Sequence, residues 1–220
     1  MRAPNIGSGM RDENSSVLII DDDPEFRGSV ARLLRTVGLQ TQEFSSVSDF
    51  LKVDPSDGPT CLILDVRMPG RSGLDLQRDL AAANRQVPII FITAHADVPM
   101  TVQAMKGGAI EFLTKPFRDQ DLIQAVEAGL ARDRSRLESD KAVATLRERF
   151  DSLSSREREV MLHVIAGRLN KQIAHDIGIA ESTVKVHRTN LMRKMKARSL
   201  PELSRMAGIL NLRPPEDRGS

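Results

Sequence analysis

In the first half of the chain, short and nearly continuous apolar runs alternate with stretches in which apolar residues recur every three or four positions. Strand-like runs lie at residues 17–20, 39–44, 61–66, 89–93 and 110–113, and several of them are continuous and β-branched, the pattern of strands buried on both faces of a parallel sheet. Amphipathic helices are predicted between them at about 24–37, 47–53, 73–83 and 98–107, and from 119 onward. Five such repeats imply an α/β doubly wound five-stranded parallel sheet with helices on both faces. Functional groups then gather at the carboxyl ends of the strands.

From 119 to 149 the sequence is charged and helix-forming, with Ile123, Leu130, Leu137 and Ala144 seven residues apart. That spacing allows a coiled-coil seam, which Asp133 and Asp140 at companion positions would weaken. We expect a linker helix here and a candidate dimer contact. The second half reads as an all-α domain of four short helices. Ser154 with Glu157 forms a capping-box pattern and Gly167 a stop. Asn170 is placed to cap a helix carrying Ile173, Ala174 and Ile177 before Gly178, a third helix runs over about 181–195, and Ser199 with Glu202 opens a last one ending by Asn211, before Pro214 and Pro215. In outline: a flexible tail at 1–16, an α/β domain at 17–130, a linker helix at 131–151, a helical domain at 152–211 and a second tail at 212–220.

Composition narrows the possibilities. With 40% apolar and 28% charged residues the 220-residue chain can bury real cores, and one cysteine excludes a disulfide framework or a multi-cysteine metal site. No apolar run approaches the roughly 20 residues that span a bilayer, and the polar first sixteen residues lack the apolar stretch of a secretory signal. A cytoplasmic protein with no membrane contact is expected. The formal charge of +2 hides an asymmetry: residues 1–130 carry a net −5 and the remainder +7. That division suggests a cation site upstream and a polyanion partner downstream.

The acidic half supplies a specific constellation. Asp21 and Asp22 follow the first predicted strand, Asp65 closes the third, Thr93 closes the fourth, and Lys115 precedes Pro116 just after the fifth. On the predicted sheet all five side chains share one edge. Three carboxylates packed together repel one another, and a hard divalent cation such as Mg²⁺ relieves this while leaving positions for water and phosphate. Lys115 can pair with an anion and Thr93 can donate a hydroxyl hydrogen bond to it, so the set suits phosphoryl transfer to a carboxylate. Any one piece has an ordinary reading as a turn, a cap or a loop. It is their joint occurrence at successive strand ends that carries the chemistry. His95 is read as a surface group, and Cys61, within a strand, as inert core.

The basic half contains a helix-turn-helix: the helix at 170–177, the turn at 178–180 and the helix from 181. Helical spacing puts Val184, Leu191 and Met195 on one face and Ser182, Lys185, Val186, Thr189 and Arg193 on the other. Such a cationic face suits a major groove, where lysine reaches guanine acceptors and valine a thymine methyl. Ala180, where the N-cap of that helix is expected, is a poor cap by roughly 1 kcal/mol.

Residues 17–130 resemble the receiver domain of two-component response regulators, through Val-Leu-Ile-Ile-Asp-Asp-Asp, Leu-Asp-Val-Arg-Met-Pro-Gly-Arg-Ser-Gly, Phe-Ile-Thr-Ala-His and Lys-Pro-Phe. The basic half resembles the LuxR-type DNA-binding domain through Leu-Ser-Ser-Arg-Glu-Arg-Glu-Val, Asn-Lys-Gln-Ile-Ala and Ser-Thr-Val-Lys-Val-His-Arg. The two together resemble the FixJ-like branch of NarL/LuxR-type regulators. The resemblance implies a flavodoxin-like receiver in which Asp65 accepts a phosphoryl group from a phosphohistidine on a sensor histidine kinase. It further implies Mg²⁺ held by Asp22, Asp65 and the backbone carbonyl of Arg67, with Asp21 acting directly or through water; Asp23 is not assigned as a ligand. Thr93 and Phe112 would form the switch. Lys185, Val186 and Thr189 become base-edge candidates, and Lys171, Ser182, Thr183, His187, Arg188, Asn190 and Arg193 candidates for phosphate contact or orientation. Promoter DNA, a homodimer on phosphorylation and RNA polymerase are the implied partners, with dimer contacts expected from the receiver, the linker helix, or Leu203, Met206 and Leu210 of the last helix. A phosphatase of the aspartyl-phosphate type would carry a second Asp where Arg67 stands, and a regulator binding a small signal molecule would need no such acidic site.

Overall fold

The computed structural model describes residues 15–53 and 58–213, and the chain divides into two compact units at Leu137 and Glu138. Most of the two expected tails lies outside the described residues; of the first, Ser16 opens a strand.

The first unit alternates β1 (Ser16–Ile20), α1 (Pro24–Thr36), β2 (Gln40–Phe44), α2 (Val47–Phe50), β3 (Thr60–Asp65), α3 (Gly73–Ala82), β4 (Ile89–Thr93), α4 (Val98–Lys106), β5 (Glu111–Thr114) and the start of α5 (Asp119–Asp151). All pairings are parallel, in the order β2-β1-β3-β4-β5. Period-two alternation divides the apolar strand residues between two cores. Val17, Ile19, Cys61, Ile63, Ile90 and Ile92 pack under α1 and α5. Leu62, Leu64 and Phe91 pack with Val47, Phe50, Leu76, Leu80 and Ala104 of α2, α3 and α4. Cys61 is fully buried, which, with the nearby Asp133 carboxylate, pushes its thiol up to about 12.

The helix expected as a linker is the continuation of α5, and the first two positions of its heptad are committed to the first unit's own core. Leu130 is buried in the core under α1 and α5 with Ile123 packed against it, whereas Ala144 is exposed. Asp133, read as a blemish in that seam, is 3% exposed and anchors the helix. One carboxylate oxygen accepts from the Thr60 amide at 2.9 Å, at the start of β3, and the other from Arg136 Nε at 2.8 Å.

The second unit contains the end of α5, then α6 (Ser155–Ile165), α7 (Asn170–Ile177), α8 (Glu181–Met195) and α9 (Leu200–Ile209). Its core joins Leu146 of α5 to Val160, Met161, Ile173, Val184, Leu191, Met195, Leu203, Ala207 and Leu210. The Ser154 and Glu157 capping box forms as expected, with amide-to-side-chain bonds of 3.3 and 2.8 Å. Ser199 caps α9, but Glu202 turns to the Arg198 amide rather than completing the box. Asn170 does not cap α7: Leu169 holds the cap position, its amide bound by Gln172 Oε1 at 2.8 Å. Leu203 and Leu210 are 0% and 5% exposed and Met206 is half-buried, so this row is consumed by the unit's own core rather than offered to a partner.

Asp133→Ala strands a buried amide and an arginine, which costs about 1–3 kcal/mol. The expected readout is a lower melting temperature for the first unit together with faster hydrogen exchange at the Thr60 amide.

Candidate functional site

In the order β2-β1-β3-β4-β5 the chain leaves β1 toward one side of the sheet and β3 toward the other, so the connections after these neighbours diverge and leave a crevice at their carboxyl ends. Asp21 and Asp22 follow β1 and Asp65 ends β3, and all three carboxylates offer an oxygen within 4.8 Å of the others. Asp21 and Asp65 are buried and Asp22 is exposed, so the cluster has a wet side. Asp23 is spent elsewhere, as the N-cap of α1 accepting from the Glu25 and Phe26 amides.

Lys115 closes the cluster from beyond β5. Its backbone amide donates to the Thr93 carbonyl at 2.8 Å, and its Nζ lies 2.7 Å from Asp21 Oδ2 and 3.7 Å from Asp65 Oδ2. The Phe26 ring lies beneath the ammonium, 3.5 Å from Nζ to the centroid. Arg27 Nη1 donates to the Asp21 carbonyl at 2.6 Å. Asp65 Oδ1 accepts from the Arg67 amide at 3.0 Å. Burial, and beyond it the charges of Asp21 and Asp22, push the Asp65 carboxyl above the ordinary range against the pull of that amide and of Lys115. Three oxygen ligands with a water-accessible side fit a hard divalent cation.

Thr93 is 1% exposed and its Oγ1 accepts from the His95 amide at 3.3 Å. Phe112 is half-buried, pairs in register with Phe91, and holds its ring 6.2 Å from that one. His95 is exposed. Gly73 was not singled out in the sequence, although it ends the motif that begins at Leu64. Its amide donates to the Val66 carbonyl at 3.0 Å, and a Cβ there would collide with the Asp65 carbonyl oxygen and Leu64. Only a residue without a side chain lets the loop after β3 fold back this tightly.

In the second unit α8 buries Val184, Leu191 and Met195 and turns Ser182, Thr183, Lys185, Val186, Thr189 and Arg193 outward, Val186 at 58% exposure. His187, Arg188 and Asn190 are half-buried on its flanks, and Lys171 on α7 is exposed. Arg188 Nη1 donates to Asn170 Oδ1 at 2.8 Å, so the residue misread as a cap braces the two helices of the helix-turn-helix. Lys185 lies 3.2 Å from Glu181, and Thr189 Oγ1 donates to the Lys185 carbonyl. Ala180 occupies the cap position of α8 with no side-chain bond to its amides.

A family model described as the response regulator receiver domain matches residues 17–127, and one described as bacterial regulatory proteins of the luxR family matches residues 151–207. The chain belongs to the response regulators with a LuxR-type output domain. It is 49% identical over 209 residues to Nodulation protein W of Bradyrhizobium diazoefficiens, covering 94% of this chain and 92% of that protein. It is 46% identical over 197 residues to Response regulator protein TodT of Pseudomonas putida, covering 90% and 87%. Among solved structures, response regulator StyR superposes with a TM-score of 0.81 at 46% identity, covering 89% of this chain and 98% of that one. Full-length FixJ from B. japonicum gives 0.52 at 38% identity, covering 89% and 97%. This response regulator is therefore a transcription regulator rather than a conventional enzyme. Receiver domains generally bind Mg²⁺ at an acidic site, and Asp21, Asp22 and Asp65 form such a cluster. No helix among the described residues is long and apolar enough to cross a membrane.

An aspartate whose folded pKa is raised costs stability once pH exceeds its unfolded value of about 3.9. The cost grows until pH passes the folded value and is then constant. Asp65→Asn should therefore melt higher than the parent at neutral pH without divalent ions, and the gap should close as pH falls toward 3.9. A parent that melts above the variant at pH 7 would contradict this.

Proposed function

We propose that this regulator takes a phosphoryl group onto Asp65 from a phosphohistidine of a sensor histidine kinase and, so modified, binds promoter DNA as a dimer. The observation that carries the reading is the pairing, at the divergence of β1 and β3, of three carboxylates with a single lysine 2.7 Å from Asp21. A nucleophilic carboxylate must approach an anionic donor, so the site has to offset charge on both. Asp65 presents an oxygen to the phosphorus; the bond to the histidine nitrogen breaks and an acyl phosphate forms. Lys115, 3.7 Å from Asp65, accompanies the incoming oxygens, exchanging part of its contact with Asp21 for them. Asp21, Asp22, Asp65 and the Arg67 carbonyl would hold Mg²⁺, which when bound offsets the charge of the carboxylates and the transferring group.

The new anion changes what Thr93 can bond. Its hydroxyl, now 3.3 Å from the His95 amide, turns to the phosphoryl oxygens, and Phe112 fills the space left beside Phe91. This two-state rearrangement is how modification reaches the face of the receiver. The functional parts are a receiver at 17–130, a linker at 131–151 and a DNA-binding domain at 152–211, working in the bacterial cytoplasm with RNA polymerase as a further partner. In the output domain Lys185, Val186 and Thr189 read base edges, while Lys171, Ser182, Thr183, His187, Arg188, Asn190 and Arg193 contact or orient toward phosphates.

Acetyl phosphate with Mg²⁺ should add one phosphoryl group to the parent and none to Asp65→Asn, read by intact mass. The modified parent should elute as a dimer and bind its sites more tightly than the variant. If the variant bound promoter DNA as well as the parent and still responded to the donor, the coupling would be wrong. On a site selected from genomic fragments, Lys185→Ala should cost about 1–3 kcal/mol and relax base preference. Arg193→Ala should instead weaken all sequences alike and lower the salt slope by roughly 1.

A further inference from the structure

At the end of the sheet opposite the acidic cluster, the first unit has a half-open cavity of about 370 Å³. Its floor is apolar, with Leu80 and Ile89 3% and 4% exposed and Val87 beside them. Three arginines line it: Arg85, in the connection from α3 to β4, and Arg132 and Arg136, on α5. Both oxygens of the one carboxylate in the lining, that of Asp133, are engaged by the Thr60 amide and Arg136, so it offsets a single guanidinium. Arg85 and Arg132 make no ion pair with any described residue. The cavity thus joins an apolar floor to two uncompensated cations.

We propose that this cavity binds a small organic carboxylate with an apolar body, bridging the connection before β4 to α5. Guanidinium groups pair with carboxylates through two parallel hydrogen bonds, and the low-polarity floor strengthens that pairing while taking up the hydrophobic part of the ligand. The volume lies within the range of small-molecule sites. Charge selects a monoanion. The helix ends that reach the cavity are the C-terminal ends of α3 and α4, at Ala81 and Gly107, and their partial negative charge opposes any anion in proportion to its charge, a phosphate dianion more than the carboxylate that the arginines pair with. None of the cavity's lining residues belongs to the acidic cluster, so occupation does not require phosphorylation.

The test is titration of the ¹⁵N-labelled full chain with benzoate, its neutral isostere benzamide, and phenyl phosphate. Benzoate should give saturable amide shifts at residues 80–89, 107–108 and 132–136, unchanged in Asp65→Asn. Benzamide should give none there. Arg85→Gln with Arg132→Gln should weaken benzoate about tenfold or more. Arg132 is exposed and Arg85 half-buried, and circular dichroism should show the double variant folded. The proposal is overturned if benzoate gives no saturable shifts, if benzamide or the double variant binds equally well, or if phenyl phosphate binds more tightly than benzoate. It is also overturned if the double variant only lowers the melting temperature while the parent binds no carboxylate, because the arginines then serve only to offset the helix ends.

Discussion

Three carboxylates within 4.8 Å of one another, two of them buried, repel unless positive charge is brought to them, and the receiver unit is arranged around supplying it. The supply comes from far along the chain: Lys115 stands 94 residues from Asp21, and only the sheet's closure from β1 to β5 brings its ammonium to 2.7 Å. The lysine is itself held by the Thr93 carbonyl behind it and the Phe26 ring beneath it. It satisfies the cluster incompletely. Asp65 remains raised in pKa, a charge centre poised for a stronger cation or for conversion into something else.

The centre of the sheet, β1, β3 and β4, was legible because parallel strands buried on both faces must be written as apolar runs; β3, expected at 61–66, lies at Thr60–Asp65. The convergence of Asp21, Asp22, Asp65 and Lys115 followed from the topology that these runs dictate. What escaped depends on contacts without local periodicity. Asn170 looks like a cap because caps are polar residues before apolar ones, yet its partner is Arg188, 18 positions on. Asp133 looks like a fault in a heptad, yet it serves the Thr60 amide 73 positions away. Gly73 is small because a backbone oxygen passes where its side chain would be, a fact of loop closure that spacing cannot express.

The output unit shows the opposite economy. Of its longest complete helix, α8, one stripe is committed to the core through Val184, Leu191 and Met195, and the remaining faces are left polar or cationic with a single outward valine at 58% exposure. In α9, Leu203, Ala207 and Leu210 are likewise consumed internally, while Leu200 and Ile209 stay exposed. The first unit's acidic crevice and the second unit's basic face thus each keep their chemistry on surfaces that their own packing does not need.

Helix α5 contributes to both cores, through Leu122, Val126 and Leu130 at one end and Leu146 at the other. The eight residues 138–145 between these anchors are all exposed. Splitting the gene to obtain either half alone is therefore tolerant in this window and damaging outside it. A stop codon before Asp133 would strip the upstream fragment of its clasp on Thr60, and a start codon after Leu146 would leave the downstream fragment with a hole in its hydrophobic centre.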